Sequence, residues 1–281
     1  MQVTTVRSGD ATVAGVVDGD RIGHLPYVDV GALIASGPDW RERVEQAAPD
    51  RWVDRAEAEP APLVVAPDKV ICVGANYADH CAEAGIEVPS YPPLFAKFTA
   101  ALIGAGDDIP VPGNSTMVDW EVELGVVIGS VTRDIAEADA LDAVAGYTIV
   151  NDVSMRDWQL RTSQFLQGKS FEGCTPVGPV LVTPDEVDHA RDLRQTCIVD
   201  DVVMQDSSTA SMVFSVPQVI AYISSFITLL PGDLIAMGTP GGIGAAQKPP
   251  VFLTPGRTMT TRIEGIGEQV NRCVAPVGSG R

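Results

Sequence analysis

The apolar runs of this chain are short, and the segments between them seldom read as helices long enough to make a parallel crossover. Strand-like runs stand at 69–74 (KVICVG), 121–129 (EVELGVVIG), 146–152 (GYTIVND) and 234–238 (LIAMG). The clearest helix is VPQVIAYISSFITLL, 216–230, stopped by Pro231-Gly232. Turn signals such as Asp200-Asp201 and Pro255-Gly256 favour hairpins. The pattern predicts an α+β chain with a largely antiparallel or mixed sheet. Residues 3–24 alternate apolar and polar positions around Asp18-Gly19, which reads as a strand meander, and two short helices are expected after it. From Pro49 to Asp68 the composition shifts to Ala, Pro and charge, as in a connector. We therefore expect a small β-rich N-terminal domain over 1–65 and a larger domain over 66–281.

Composition limits the partners. Nineteen Lys and Arg stand against 37 Asp and Glu, a net charge of −18, so the long-range field repels nucleic acid and anionic membrane surfaces. A small anionic ligand then needs positive charge inside its site, from a metal or a buried Lys or Arg. The five cysteines include no CxxC pair and are odd in number, against both a disulfide framework and a zinc cluster and in favour of a reducing compartment. No apolar segment follows a basic start, and no run approaches the roughly 18 apolar residues of a membrane helix, so the cytoplasm is the expected location.

Three groups of residues carry candidate chemistry. Glu121 and Glu123 lie two apart in a strand-like run and share a face, while Asp152 closes a second apolar run. Three converging carboxylates repel unless a cation holds them ionised, and Mg²⁺ or Mn²⁺ with oxygen ligands suits them; the spacing alone equally fits a solvated outer face. His80 and Glu83 are three apart on a short helical segment, where the carboxylate can orient the imidazole as a general base, or where both are ordinary surface groups. Arg156 and Gln159, one helical turn apart, and Lys169 in QGKSFEG follow Asp152 and can supply positive charge near the ion, or form a surface ion-paired helix. The GKS there is no phosphate loop, since residue 163 is Ser where that motif needs Gly. AMGTPGGIG at 236–244 lacks the helix of a dinucleotide fold, because prolines follow within six residues; a tight loop whose backbone and Thr239 face a ligand remains.

Taken in order, NYADHxxE, VDWEVELGVVIG, NDVSxRDxQ, GKSF and PGDxIxMGTPGGIG resemble the fumarylacetoacetate hydrolase family over about residues 68–275. The resemblance implies a mixed β-roll, usually dimeric, with a small N-terminal domain in longer members. It implies a divalent metal on Glu121, Glu123 and Asp152, a catalytic His80–Glu83 pair, Lys169 close to substrate, and substrate contacts at Arg156, Gln159 and Thr239. The activity so implied is metal-dependent hydrolysis of a C–C bond in a 2,4-dioxo acid of the acylpyruvate type, by way of a metal-stabilised pyruvate enolate. The same site would serve oxaloacetate decarboxylation or enol–keto isomerisation. The tail GAAQKPPVFLTPG at 244–256 looks similar to that of members acting on 2,4-dioxo-3-deoxy sugar acids.

Overall fold

The computed structural model describes residues 1–276; the last five residues of the expected 66–281 domain lie outside them. The spine is an eleven-stranded mixed sheet whose centre is Thr175–Val182, Val144–Asn151, Val122–Ile128, Leu234–Ala236 and Val70–Val73, side by side in that order. Neighbours along this centre are antiparallel except for Leu234–Ala236 and Val70–Val73, which run parallel. The N-terminal meander, Gln2–Ser8, Ala11–Asp18 and Arg21–His24, extends the same sheet, since Gln2 pairs with Val182 and Val3 with Leu181. A second, five-stranded sheet holds Val202–Ser208, Arg194–Val199, Thr258–Ile263, Gly267–Val274 and Ile109–Pro110. No described helix is long and apolar enough to cross a membrane.

Both faces of the spine are covered, which is why its central strands read as continuous apolar runs rather than as alternating ones. The two short N-terminal helices, Val30–Ala35 and Trp40–Glu45, place Leu33, Ile34, Trp40 and Val44 over Val127, Ala145, Leu181 and Leu234 on one face. On the other face Leu124, Val126, Tyr147 and Ile149 meet Val219, Ile220 and Ile223 of helix Val216–Ser224 and Met259 and Ile263 of the second sheet. That helix is shorter than the expected 216–230. The hydroxyls of Ser224 and Ser225 donate back to Ala221 O and Tyr222 O, Ser224 Oγ also accepts the Ile135 N–H, and Leu229 is pulled into a bridge with Thr132. The Asp200-Asp201 hairpin forms as expected, with both residues at positive φ between paired strands. All five cysteines are free and buried.

Asn76 fixes the exit of strand Val70–Val73 toward the helix Ala78–Ala84. Wholly buried, it donates from Nδ2 to Met237 O at 2.7 Å and Phe214 O at 3.1 Å, and its Oδ1 accepts the Phe214 N–H at 2.7 Å. Truncation strands the buried Met237 carbonyl, costing about 1–3 kcal/mol, and also leaves the partly buried Phe214 N–H without its acceptor. Asn76→Ala is therefore expected to lower unfolding stability by at least about 2 kcal/mol, read as a reduced urea midpoint at unchanged slope.

Candidate active site

Strands Val122–Ile128 and Val144–Asn151 pair antiparallel with Glu123 opposite Val150 and Val122 opposite Asn151. Cross-strand partners share a face, so Glu121 and Glu123 emerge on the side where the second strand ends in Asp152. The Asp152 N–H donates to Glu121 O at 2.9 Å and the Glu121 N–H to Asn151 Oδ1 at 3.1 Å, which locks the two strand ends together. The result is a buried triad whose carboxylate oxygens lie within 4.8 Å of one another.

Three buried cations surround it unevenly. Lys169, closing the one-turn helix Leu166–Lys169, donates to Glu121 Oε2 at 2.7 Å and Asp152 Oδ2 at 2.8 Å. Arg156, opening the one-turn helix Arg156–Gln159, reaches Glu121 Oε1 from Nη1 at 2.6 Å, and Lys97 reaches Asp152 Oδ1 at 2.5 Å. Burial opposes the charge of Glu121, yet Lys169 and Arg156 outweigh it and hold its pKa below the ordinary carboxylate range. Glu123 has no such partner among the described residues; only the Gly238 N–H reaches its Oε2, at 2.8 Å. Burial first, then Asp152 and Glu121, push its pKa well above the ordinary range. An uncompensated carboxylate beside two others is the donor set a hard divalent cation takes, so the residues fit such an ion.

A cavity of about 510 Å³ opens on this cluster and is lined by eight of the nine residues the sequence singled out: His80, Glu83, Glu121, Glu123, Arg156, Gln159, Lys169 and Thr239. Asp152 lies behind the wall, held by the two lysines. His80 and Glu83 share a face of helix Ala78–Ala84, which Gly85 ends in the left-handed conformation. His80 Nδ1 is 2.9 Å from Glu83 Oε1, while Glu83 Oε2 accepts the Gly242 N–H at 2.8 Å. In the tautomer in which Nδ1–H donates to Glu83, Nε2 is the nitrogen left to accept a proton. The Thr239 hydroxyl lines the cavity but donates to Val122 O at 2.9 Å and accepts from Gln205 Nε2 at 2.8 Å.

Two residues escaped the sequence analysis. Lys97 stands alone in the apolar segment PLFAKF, and such an isolated Lys is the signal that could have found it. Asp119 continues the Glu121, Glu123 alternation one step back and is wholly buried, with Arg156 Nε 2.8 Å from its Oδ2.

A mixed-sheet scaffold that carries buried carboxylates, lysines and a His–Glu pair around one cavity defines a class of acid–base site whose carboxylates fit a divalent cation. Residues 69–274 match the family model described as "Fumarylacetoacetate (FAA) hydrolase C-terminal", and the chain belongs to the fumarylacetoacetate hydrolase family. It is 48% identical over 213 residues to bovine "Oxaloacetate tautomerase FAHD2A, mitochondrial", covering 75% of this chain and 68% of that one. Its structure is similar to that of a fumarylacetoacetate hydrolase from the psychrophile Exiguobacterium antarcticum, with TM-score 0.83, 32% identity and coverage of 98% of this chain and 99% of the other. It is also similar to maleylpyruvate hydrolase from Sphingobium sp. SYK-6, solved with manganese(II) and pyruvate, with TM-score 0.81, 28% identity and 98% and 100% coverage.

The uncompensated charge of Glu123 predicts two effects of opposite sign. Glu123→Gln should raise the melting temperature of the cation-free protein, because folding then no longer carries the cost of protonating or desolvating this carboxylate beside two others, and should weaken Mn²⁺ binding at least about 100-fold by titration calorimetry.

Proposed function

We propose that this protein is a divalent-cation-dependent hydrolase that cleaves a carbon–carbon bond in a 2,4-dioxo acid of the acylpyruvate type, with Mg²⁺ or Mn²⁺ held by Glu121, Glu123 and Asp152. The observation that carries hydrolysis is the His80–Glu83 pair facing the same cavity as the carboxylates, because it furnishes a base for water where a bare binding site needs none. Charge supports an anionic ligand. Asp119, Glu121, Glu123 and Asp152 carry −4 and Lys97, Arg156 and Lys169 carry +3, leaving −1; a dication makes the cluster +1, which one carboxylate neutralises.

A divalent ion bound there supplies an electrostatic sink for the negative charge that develops on the 2-oxo group. The chain's own residues do the rest. His80 Nε2 takes a proton from water as the water oxygen attacks the 4-carbonyl, and the Glu83 carboxylate, accepting the Nδ1–H, compensates the imidazolium. Arg156 and Lys169 hold the anionic end of the substrate, and Phe95, with its ring 5.1 Å from Lys169 Nζ, helps exclude bulk water there. The C3–C4 bond breaks, its electron pair is protonated at C3, and one water has been consumed to give a carboxylic acid and pyruvate.

The bovine relative's name supports a second activity on the same site, keto–enol tautomerisation of oxaloacetate, in which His80 would move a proton at C3 and no water would be consumed. We also take the chain to act as a homodimer. An exposed aromatic group supports this: Tyr91, 71% exposed, stacks on Tyr222, and Tyr222 packs edge-on against Phe226, 57% exposed.

Mass spectrometry of Mg²⁺- or Mn²⁺-loaded protein with acetylpyruvate is expected to show acetate and pyruvate in equal amounts; unchanged mass with altered enol absorbance of oxaloacetate would favour tautomerisation instead. His80→Ala is expected to keep Mn²⁺ affinity and lose at least about 100-fold in kcat, and normal turnover by that variant would remove the base from the mechanism.

A further inference from the structure

Asp119 is the one wholly buried carboxylate of the cluster that the mechanism does not use, and each of its oxygens accepts two N–H groups. Oδ1 takes the backbone N–H of Trp120 at 2.8 Å and of Gly244 at 2.7 Å, and Oδ2 takes the Ala245 N–H at 3.0 Å and Arg156 Nε at 2.8 Å. Gly244 and Ala245 open the turn whose Ala245 and Ala246 wall the cavity. Arg156 is nineteen-twentieths buried and also lines the cavity.

The guanidinium is held on two sides. Nε meets Asp119, and Nη1 meets Glu121 Oε1 at 2.6 Å and Gln159 Oε1 at 2.9 Å, while Nη2 is closed to solvent and has no acceptor among the described residues. A planar fork fixed through Nε and Nη1 has no remaining rotation, so the direction of Nη2 is decided by where Asp119 stands. Gly244 leaves room for this arrangement, since a Cβ there would lie 2.7 Å from Asp119 Oδ1 and 2.1 Å from Val251 O.

We propose that Asp119 is a positioning residue for anion binding: it fixes the Arg156 guanidinium at the cavity wall through Nε and, through Gly244 and Ala245, holds that wall in register with the arginine. This deepens the function proposed above and rests on it for the anionic character of the ligand. Asp119 reaches the ligand only through Arg156 and the turn.

The test reads binding rather than turnover. Oxalate, a small dicarboxylate without a cleavable acyl group, is titrated calorimetrically into Mn²⁺-loaded wild type, Asp119→Asn, Arg156→Met and the double variant. Asp119→Asn is expected to weaken oxalate at least ten-fold, and the double variant to bind no more weakly than Arg156→Met alone, because both changes remove one interaction. A role confined to folding would lower the melting temperature while leaving the dissociation constant of the folded protein unchanged. Wild-type affinity in Asp119→Asn, or losses that add in the double variant, would overturn the proposal. Should Asp119→Asn fail to fold by circular dichroism, Arg156→Lys serves instead: it keeps the charge and loses the fork, so a ten-fold loss is expected and retained affinity overturns. Wild type that binds Mn²⁺ but no oxalate would defeat the keto-acid function itself, and that failure is visible before any variant is measured.

Discussion

Everything at this site depends on keeping a concentration of charge out of water at the end of a sheet. Carboxylates buried this deeply are tolerated only with partners, because desolvation disfavours the ionised form by several kcal/mol per group. The fold meets that demand with Lys97, Lys169 and Arg156, each brought from a different part of the chain. It leaves one carboxylate, Glu123, without a cation of its own. That imbalance is what makes the cluster a binding site instead of a closed ion-pair network, since a closed network has no affinity left for a divalent ion.

The rest of the architecture serves to hold this cluster. The central strands are apolar on both faces, so helices from the N-terminal segment cover one side and the second sheet with helix Val216–Ser224 covers the other. The N-terminal strands continue the spine through Gln2–Val182 and Val3–Leu181, and residues distant in sequence thereby brace the strands that carry the acids. The parallel pairing of Leu234–Ala236 with Val70–Val73 brings the Gly-rich loop beside the His80 helix, where Glu83 receives the Gly242 N–H. Glu83 thus links His80 to the loop as well as orienting its imidazole.

Much of this was legible in the chain. The Glu121, Glu123 alternation, the apolar run ending in Asp152, and the three-residue spacing of His80 and Glu83 each express a local period, and local periods survive into structure unchanged. Less legible were the limits of elements. Helix 216–230 stops at Ser224 because two serine hydroxyls turn back on the backbone and Leu229 finds a bridging partner in Thr132, and the second of these is a contact that no window of sequence contains. Lys97 and Asp119 were missed although a lone Lys in an apolar run and a third acid on the Glu121, Glu123 alternation are local signs, because what each does is set by a partner 55 or 37 residues away.

What the sequence determined by itself was the kind of chemistry available, because acid–base groups at strand and helix periods fix which side chains share a face, and net charge fixes what must be compensated inside the site. Only the tertiary structure decided which carboxylates are compensated and which is not. Whether an acid is ion-paired, free for a cation or turned to hold an arginine depends on distances of a few ångströms between remote segments, and on burial that strengthens each of those contacts by excluding water.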